Sequence, residues 1–206
     1  MRLLLATNNP GKLEIMKKGL VGIPCRVLSS HELGLDVEEV EETGSTLEEN
    51  AKIKAHAFFK ALKEKGLEDV AVLSDDGGLQ IDALNGEPGI YARRWAGENA
   101  SDEEIIAYTM KRMDGVPKDD RTARFTVYLV LILPDGTEHV VTGSTEGWIS
   151  VDSPVTTKTK GLPYGALLVV SVVNKRLEDL TIEEWGSTHR AIALGKIRDI
   201  ISNMSS

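Results

Sequence analysis

Two adjacent carboxylates and two glycines, Asp75-Asp76-Gly77-Gly78, follow the apolar run Val70–Leu73 and Ser74. Packing explains such a pair poorly, because an ionised carboxylate is expensive to bury. Side chains alternate sides in an extended segment, so one of the two is expected to face a crevice. A carboxylate there can hold Mg²⁺, which is bound through one or two carboxylates together with substrate phosphates. Asp-Gly is also a strong turn former, and the pattern alone leaves both readings open.

Thr7-Asn8-Asn9-Pro10-Gly11-Lys12 joins a short apolar run to a helical pattern. A strand end, a tight turn and a helix start present backbone N–H groups and partial positive charge, and Lys12 adds a full charge. That combination suits phosphate, although Asn and Pro-Gly also serve in plain turns. The spacing is not that of a Walker A loop, and no Gly-x-Gly-x-x-Gly follows a strand. Glu41-Glu42 precede a capped helix, where they either complement its dipole or supply a second metal ligand near Asp76. Lys54 shares the apolar face of that helix with Leu47, Asn50 and Phe58, so its ammonium must snorkel or reach an anion in a polar cavity. Ser187-Thr188-His189-Arg190 opens the last helix. Ser187 is the expected N-cap; His189 and Arg190 can donate to a carbonyl or phosphate, or form a solvated first turn. Cys25, the single cysteine, has no His/Asp context and reads as packing.

The elements that must position these groups follow from pattern. Arg2–Ala6, Pro24–Leu28, Val70–Leu73, Leu79–Ala83 and Leu167–Val173 read as strands, and Arg121–Leu133 with Thr137–Ile149 as a long hairpin turning at Pro134-Asp135-Gly136. Lys12–Leu20, Thr46–Leu62, Ser101–Met113 and Ser187–Ile201 read as helices, the second and third with capping signals. Asp36–Glu42 reads as extended or loop. The interleaving predicts one α/β domain over residues 1–206, a mixed sheet covered by helices. Ligands of such sheets sit at the carboxyl ends of strands, where Thr7–Lys12 and Ser74–Gly78 fall.

Composition narrows the function classes. With 24 Lys+Arg against 32 Asp+Glu, the net charge of −8 disfavours non-specific binding to nucleic acid or anionic membranes. It leaves room for a small anionic ligand met by local lysines and a metal. The apolar runs fall short of the ~20 residues a spanning helix needs, and the N-terminal one is too short for a signal-peptide core. One cysteine forms no intramolecular disulfide and agrees with a reducing compartment. The expectation is a cytoplasmic protein.

Taken in order, these segments resemble the inosine triphosphate pyrophosphatase (Ham1-like) family across nearly the whole chain. The resemblance is carried by Thr7–Lys12 with Glu14, and by Glu41-Glu42-Thr43-Gly44 with Thr46, Glu49-Asn50-Ala51 and Lys54-Ala55. It continues through Ser74-Asp75-Asp76, Gly78-Leu79, Leu84–Tyr91 and Arg94, then Ala123-Arg124-Phe125, and finally His189-Arg190 with Ala193-Leu194. It implies a strongly twisted mixed sheet with a long hairpin, a homodimer, and Mg²⁺-dependent hydrolysis of ITP, dITP or XTP to the monophosphate and pyrophosphate. It further implies that Thr7, Asn8, Asn9, Pro10, Gly11 and Lys12 bind the triphosphate. Glu41 and Asp76 would hold Mg²⁺, Asp76 would also serve as the base, and Lys54 would reach the phosphates. Gly77, Tyr164, His189 and Arg190 would form the base site.

Three departures fall on the base side. Gly77 stands where the family has Ser, Leu162-Pro163-Tyr164-Gly165-Ala166 replaces Phe-Gly-Tyr-Asp-Pro, and Trp185 and Thr188 alter the segment before His189. Leu162 in place of Phe weakens stacking on a base. The expectation is that hydrolysis is kept while base selectivity is relaxed or redirected. The alternatives are the same reaction on another nucleotide, or nucleotide binding without turnover.

Overall fold

The computed structural model describes residues 1–37, 40–152 and 154–204. Among the described residues seven strands form one mixed sheet: β1 (Arg2–Ala6), β2 (Arg26–Leu28), β3 (Val70–Ile81), β4 (Thr122–Ile132), β5 (Glu138–Ile149), β6 (Leu168–Val170) and β7 (Lys175–Arg176), in spatial order β2-β1-β3-β4-β5-β6-β7. β1 runs parallel to both β2 and β3, whereas β6 is antiparallel to β5 and β7. The α-helices are α1 (Pro10–Gly19), α2 (Leu47–Glu64), α3 (Asp102–Arg112), α4 (Ile182–Trp185) and α5 (His189–Asn203). This is the predicted α/β class. The chain divides into two compact units, one of Met1–Asp76, Val127–Thr142 and the residues from Ile192, the other of Gly77–Thr126 and Gly143–Ala191.

In the first unit β1 is the inner parallel strand, and its Leu3–Ala6 are fully buried, as a strand covered on both faces requires. Leu47, Ala51, Ala55, Phe58 and Leu62 form the buried face of α2; from Ala51 onward they pack with Leu4, Ala6, Val70, Val72, Val130 and Ile132. α1 begins where Asn9 Oδ1 accepts the Lys12 amide, and Pro10 occupies the first helical position, where its missing N–H costs nothing. The predicted turn at Pro134-Asp135-Gly136 is present, with Asp135 Oδ1 accepting the Thr137 amide at 2.8 Å.

In the second unit Leu79, Ile81, Ile105, Ile106, Phe125, Ile149, Tyr164 and Leu167 belong to one buried cluster. Arg121 is nine-tenths buried and donates to the carbonyls of Met113, Val116 and Ser150 at 2.9–3.1 Å. α3 carries the predicted capping box between Ser101 and Glu104.

Three sequence expectations are corrected. The strands expected over Val70–Leu73 and Leu79–Ala83 are joined in one strand, β3, which ends at Ile81 before a 3-10 turn over Asp82–Leu84, and Asp75–Gly78 form no turn. The turn tendency of Asp-Gly yields because Asp75 is buried against a lysine. The strand expected over Leu167–Val173 covers only Leu168–Val170, because Asn174 adopts φ 53° and turns the chain into β7. Ser187 does not cap α5: its hydroxyl donates to Glu184 O at the end of α4, and Thr188 Oγ1 accepts the Ala191 amide. No helix among the described residues is long and apolar enough to cross a membrane.

Candidate active site

The register pairs Ala6 with Ser74, so that Thr7 leaves the end of β1 where Asp75 continues β3. The Thr7–Lys12 turn is held by its own side chains. Thr7 Oγ1 accepts the Asn9 amide at 3.2 Å and Asn9 Oδ1 the Lys12 amide at 3.1 Å. Thr7 and Gly11 are buried, Asn8 and Pro10 exposed, and no acid lies in the first turn of α1 to oppose an anion.

Lys12 and Lys54 converge on the carboxylates that follow Ser74. Lys12 Nζ lies 3.0 Å from Oδ1 of the fully buried Asp75. Lys54 Nζ lies 2.6 Å from Glu42 Oε1 and donates to the Asp75 carbonyl at 3.1 Å. The sequence question about Lys54 is thereby answered: its tip is in a polar cluster, held by acids. Asp76 is 7% exposed, and its Oδ2 has no hydrogen-bond partner among the described residues. Burial pushes the Asp76 carboxyl up to about 6; Lys12 and Lys54 pull it down, while Glu42 and Asp75 push it further up. Burial lowers the Lys54 ammonium, but Asp76, Glu42 and Asp75 together more than offset that and leave it raised.

Of the acidic pair in the loop, the structure brings Glu42 into this cluster and leaves Glu41 exposed. Neighbouring side chains of a non-helical segment point apart, so one of them must face solvent. What aims Glu42 is the anchoring just downstream. The fully buried Asn50 accepts the Gly44 amide on Oδ1 at 2.8 Å. A Cβ on Gly44 would stand 2.6 Å from that oxygen, so only glycine allows the approach. Glu49 reaches back to Ser45 N and Oγ, both at 2.7 Å, while Thr46 caps α2 through the Glu49 amide. Ser74 Oγ donates to Ala51 O at 2.7 Å and ties α2 to β3 just before the carboxylates. The sequence reading missed Glu42 as the inward acid and missed the anchoring by Asn50 and Ser74. The buried helical position of Asn50, shared with Lys54, was the available signal.

Among the described residues three carboxylates stand against two ammonium groups here, and Asp76 Oδ2 is buried without a hydrogen-bond donor. A hard divalent cation fits that imbalance. Among the described residues no group of three His, Cys, Asp or Glu side chains is placed to hold a metal ion by itself.

In the second unit, His189 and Arg190 are 2% and 5% exposed, not a solvated first turn. His189 stacks on Phe125, ring centroids 4.5 Å apart at 25°, and Arg190 lies 6.0 Å from the same ring. Tyr164 is buried with its hydroxyl donating to Ala92 O at 2.7 Å, and its ring is 6.3 Å from Phe125. Tyr164 thus lies beneath the aromatic pair as part of the core. Gly77 is half-buried within β3, Thr188 is buried at the start of α5 and Trp185 is half-buried. Cys25 is half-buried, and burial pushes its thiol up and away from reactivity.

Comparison with known proteins gives a consistent result. The model of the Ham1 family matches residues 3–200. The dITP/XTP pyrophosphatase of Thermoanaerobacter pseudethanolicus is 39% identical over 202 residues, covering 98% of this chain and 96% of that protein. The dITP/XTP pyrophosphatase of Bacillus subtilis is 37% identical over 199 residues, covering 96% of each. The Ham1 protein of Staphylococcus aureus superposes with a TM-score of 0.79 at 34% identity, over 99% of this chain and 100% of that one.

Proposed function

Because the chain belongs to the Ham1 family, we propose that it is a nucleoside triphosphate pyrophosphatase acting on ITP, dITP and XTP, releasing the monophosphate and pyrophosphate. The observation that carries the reading is Asp76: a buried carboxylate with an oxygen unpartnered among the described residues, set between two lysines and two further acids. A structural acid would be paired; a binding module would need no base.

The steps are ones this chain's residues can perform. The Thr7–Lys12 turn binds the triphosphate through the N-terminus of α1 and Lys12. Asp76, ionised, accepts the proton of the water that attacks the α-phosphorus, and the bond to the departing pyrophosphate breaks on the opposite side. Lys12 and Lys54 offset the charge that develops on the leaving group, and being held by Asp75 and Glu42 they need little reorganisation to do so. Asp76 and Glu42 are the residues that would hold Mg²⁺, which when bound neutralises phosphate oxygens and acidifies water. Glu42 takes here the place that the resemblance gave to Glu41. His189 and Arg190 read the base, Tyr164 supports their aromatic neighbour from below, and Gly77 offers backbone without a side chain. A homodimer and a cytoplasmic setting complete the proposal.

The test is pyrophosphate release with Mg²⁺ from ITP, dITP, XTP, GTP and ATP. Release from the first three over the last two is expected. Asp76→Asn should lower kcat by about 10²–10⁴-fold, the range for a positioned general base. Glu42→Gln should cost about 10²-fold and Glu41→Gln less than about threefold, because Glu42 holds Lys54 at 2.6 Å and would hold the metal, so its loss misplaces the charges that stabilise the reacting phosphates. Tight binding of these nucleotides with no release from any would replace the hydrolase with a nucleotide-binding protein. Equal losses at Glu41 and Glu42 would refute the assignment of Glu42.

A further inference from the structure

Asn50 keeps a donor that its anchoring of Gly44 does not use. Its side chain is fully buried, and its Oδ1 accepts the Gly44 amide at 2.8 Å. The carboxamide atom that faces an N–H is the oxygen, so Nδ2 is the arm turned away from Gly44. Nδ2 is buried and has no hydrogen-bond partner among the described residues. A buried amide donor calls for an acceptor, and here that acceptor must come from outside the chain. Strand alternation locates the matching group. Val70 and Val72 pack with Ala51, Ala55 and Phe58 of α2, and Ser74 Oγ donates to Ala51 O. Residues two apart on a strand share a face, so Asp76 is the next side chain of β3 turned toward α2. Asn50 directly precedes Ala51 and lies one helical turn before Lys54, whose ammonium acts on Asp76. Asn50 Nδ2 is thus a donor without an acceptor, and Asp76 Oδ2 an acceptor without a donor, among the described residues of the same helix–strand contact. Water satisfies both at once, accepting from the amide and donating to the carboxylate.

We propose that Asn50 Nδ2 and Asp76 Oδ2 together hold one water, the water that attacks the α-phosphorus, so that Asn50 is a further catalytic residue. This rests on the reading of Asp76 as the base of the proposed hydrolysis. The amide occupies one lone pair of the water and leaves the other for phosphorus. In the step, one water proton passes to Asp76 Oδ2 and the water oxygen bonds to the α-phosphorus. The bond from that phosphorus to the bridging oxygen breaks, its electron pair leaves with pyrophosphate, and Asn50 keeps both of its amide protons. The carboxamide does two jobs with its two arms: Oδ1 fixes the loop that carries Glu42, and Nδ2 fixes the nucleophile.

Asn50→Asp separates the two arms, because it keeps an acceptor for the Gly44 amide and removes the donor. The experiment measures kcat on ITP for wild type, Asn50→Asp, Asp76→Asn and the double variant. It is run at about pH 9, where a charge added beside Asp76 no longer keeps that carboxyl protonated. Asn50→Asp should lose about 10²-fold, the cost of a misplaced reactant. The double variant should lie within about threefold of Asp76→Asn alone, because residues that act on one water act as a unit. Losses that multiply in the double variant, or a folded Asn50→Asp with wild-type kcat, overturn the inference and leave Asn50 as an anchor only. A high-resolution crystal structure of the metal-free wild type supplies a readout that needs no turnover. It should show a water about 2.7–3.2 Å from both Asn50 Nδ2 and Asp76 Oδ2. A direct bond between the two groups, or no water there, overturns the inference even if the Asp variant does not fold. If that water is present but the wild type releases no pyrophosphate, the hydrolase reading fails and the nucleophile's role falls with it, while the water site stands.

Discussion

Asp75 and Asp76 are neighbours on one strand with opposite surroundings. Asp75 has an ammonium group 3.0 Å away, whereas Asp76 Oδ2 has no donor among the described residues. The carboxyl of Asp76 is raised to about 6 by burial first, then by Glu42 and Asp75 against the pull of Lys12 and Lys54. A carboxyl raised on folding binds its proton more tightly in the native chain than in the unfolded one. Its contribution is therefore present below about pH 4 and is lost as pH rises through about 6. In metal-free protein the stability advantage of Asp76→Asn over wild type should grow across that window, toward about 3 kcal/mol at neutral pH. Thermal unfolding in chelator at pH 4, 5, 6 and 7 measures it, and Mg²⁺ should shrink the gap at pH 7; a gap independent of pH would contradict the raised carboxyl. The carboxylate pair and both lysines were legible from the sequence as residue types at strand ends and on a buried helix face. Which acid of Glu41-Glu42 turns inward was not, because a non-helical loop has no periodicity to reveal it and its direction is set by Asn50, eight residues beyond Glu42.

At the scale of elements, local chemistry marked the helices well. Asn9, Thr46 and Ser101 all cap where their side-chain oxygens can meet an N3 amide. Local chemistry misled at Asp75–Gly78, where turn propensity competes with a long-range ion pair and a buried strand. It misled again at Ser187, whose hydroxyl is taken by the preceding short helix. The start of α2 carries the sharpest element-scale prediction. Gly44→Ala would press a methyl group against Asn50 Oδ1 and the Glu49 Cβ at 2.6 and 2.7 Å, contacts real Cβ atoms do not make. The strand of chain bearing Glu42 must move away. We expect a loss of about 1–3 kcal/mol in denaturant unfolding, as for other overpacked sites, together with weakened Mg²⁺ dependence of pyrophosphate release. Full activity with unchanged Mg²⁺ dependence would mean that the anchor does not aim Glu42.

At the scale of the whole molecule, the charge balance disfavoured non-specific polyanion binding but was silent on the site, because a phosphate-binding centre is decided by two lysines and a helix terminus rather than by the sum. The division into two compact units was not legible either: each unit draws on chain segments far apart in sequence, and no linker composition marks a boundary. The buried Arg121, held by three carbonyls of the second unit, gives this protein a built-in proteolytic clock. Trypsin cuts after arginine only when the chain can enter its cleft, so a cut after Arg121 requires that unit to open, whereas Lys160 is exposed in irregular chain of the same unit and needs only local fluctuation. Mass spectrometry of a native digest should find the Lys160 cut early and the Arg121 cut at the pace of unfolding; equal rates would show that the three-carbonyl clasp does not hold in solution.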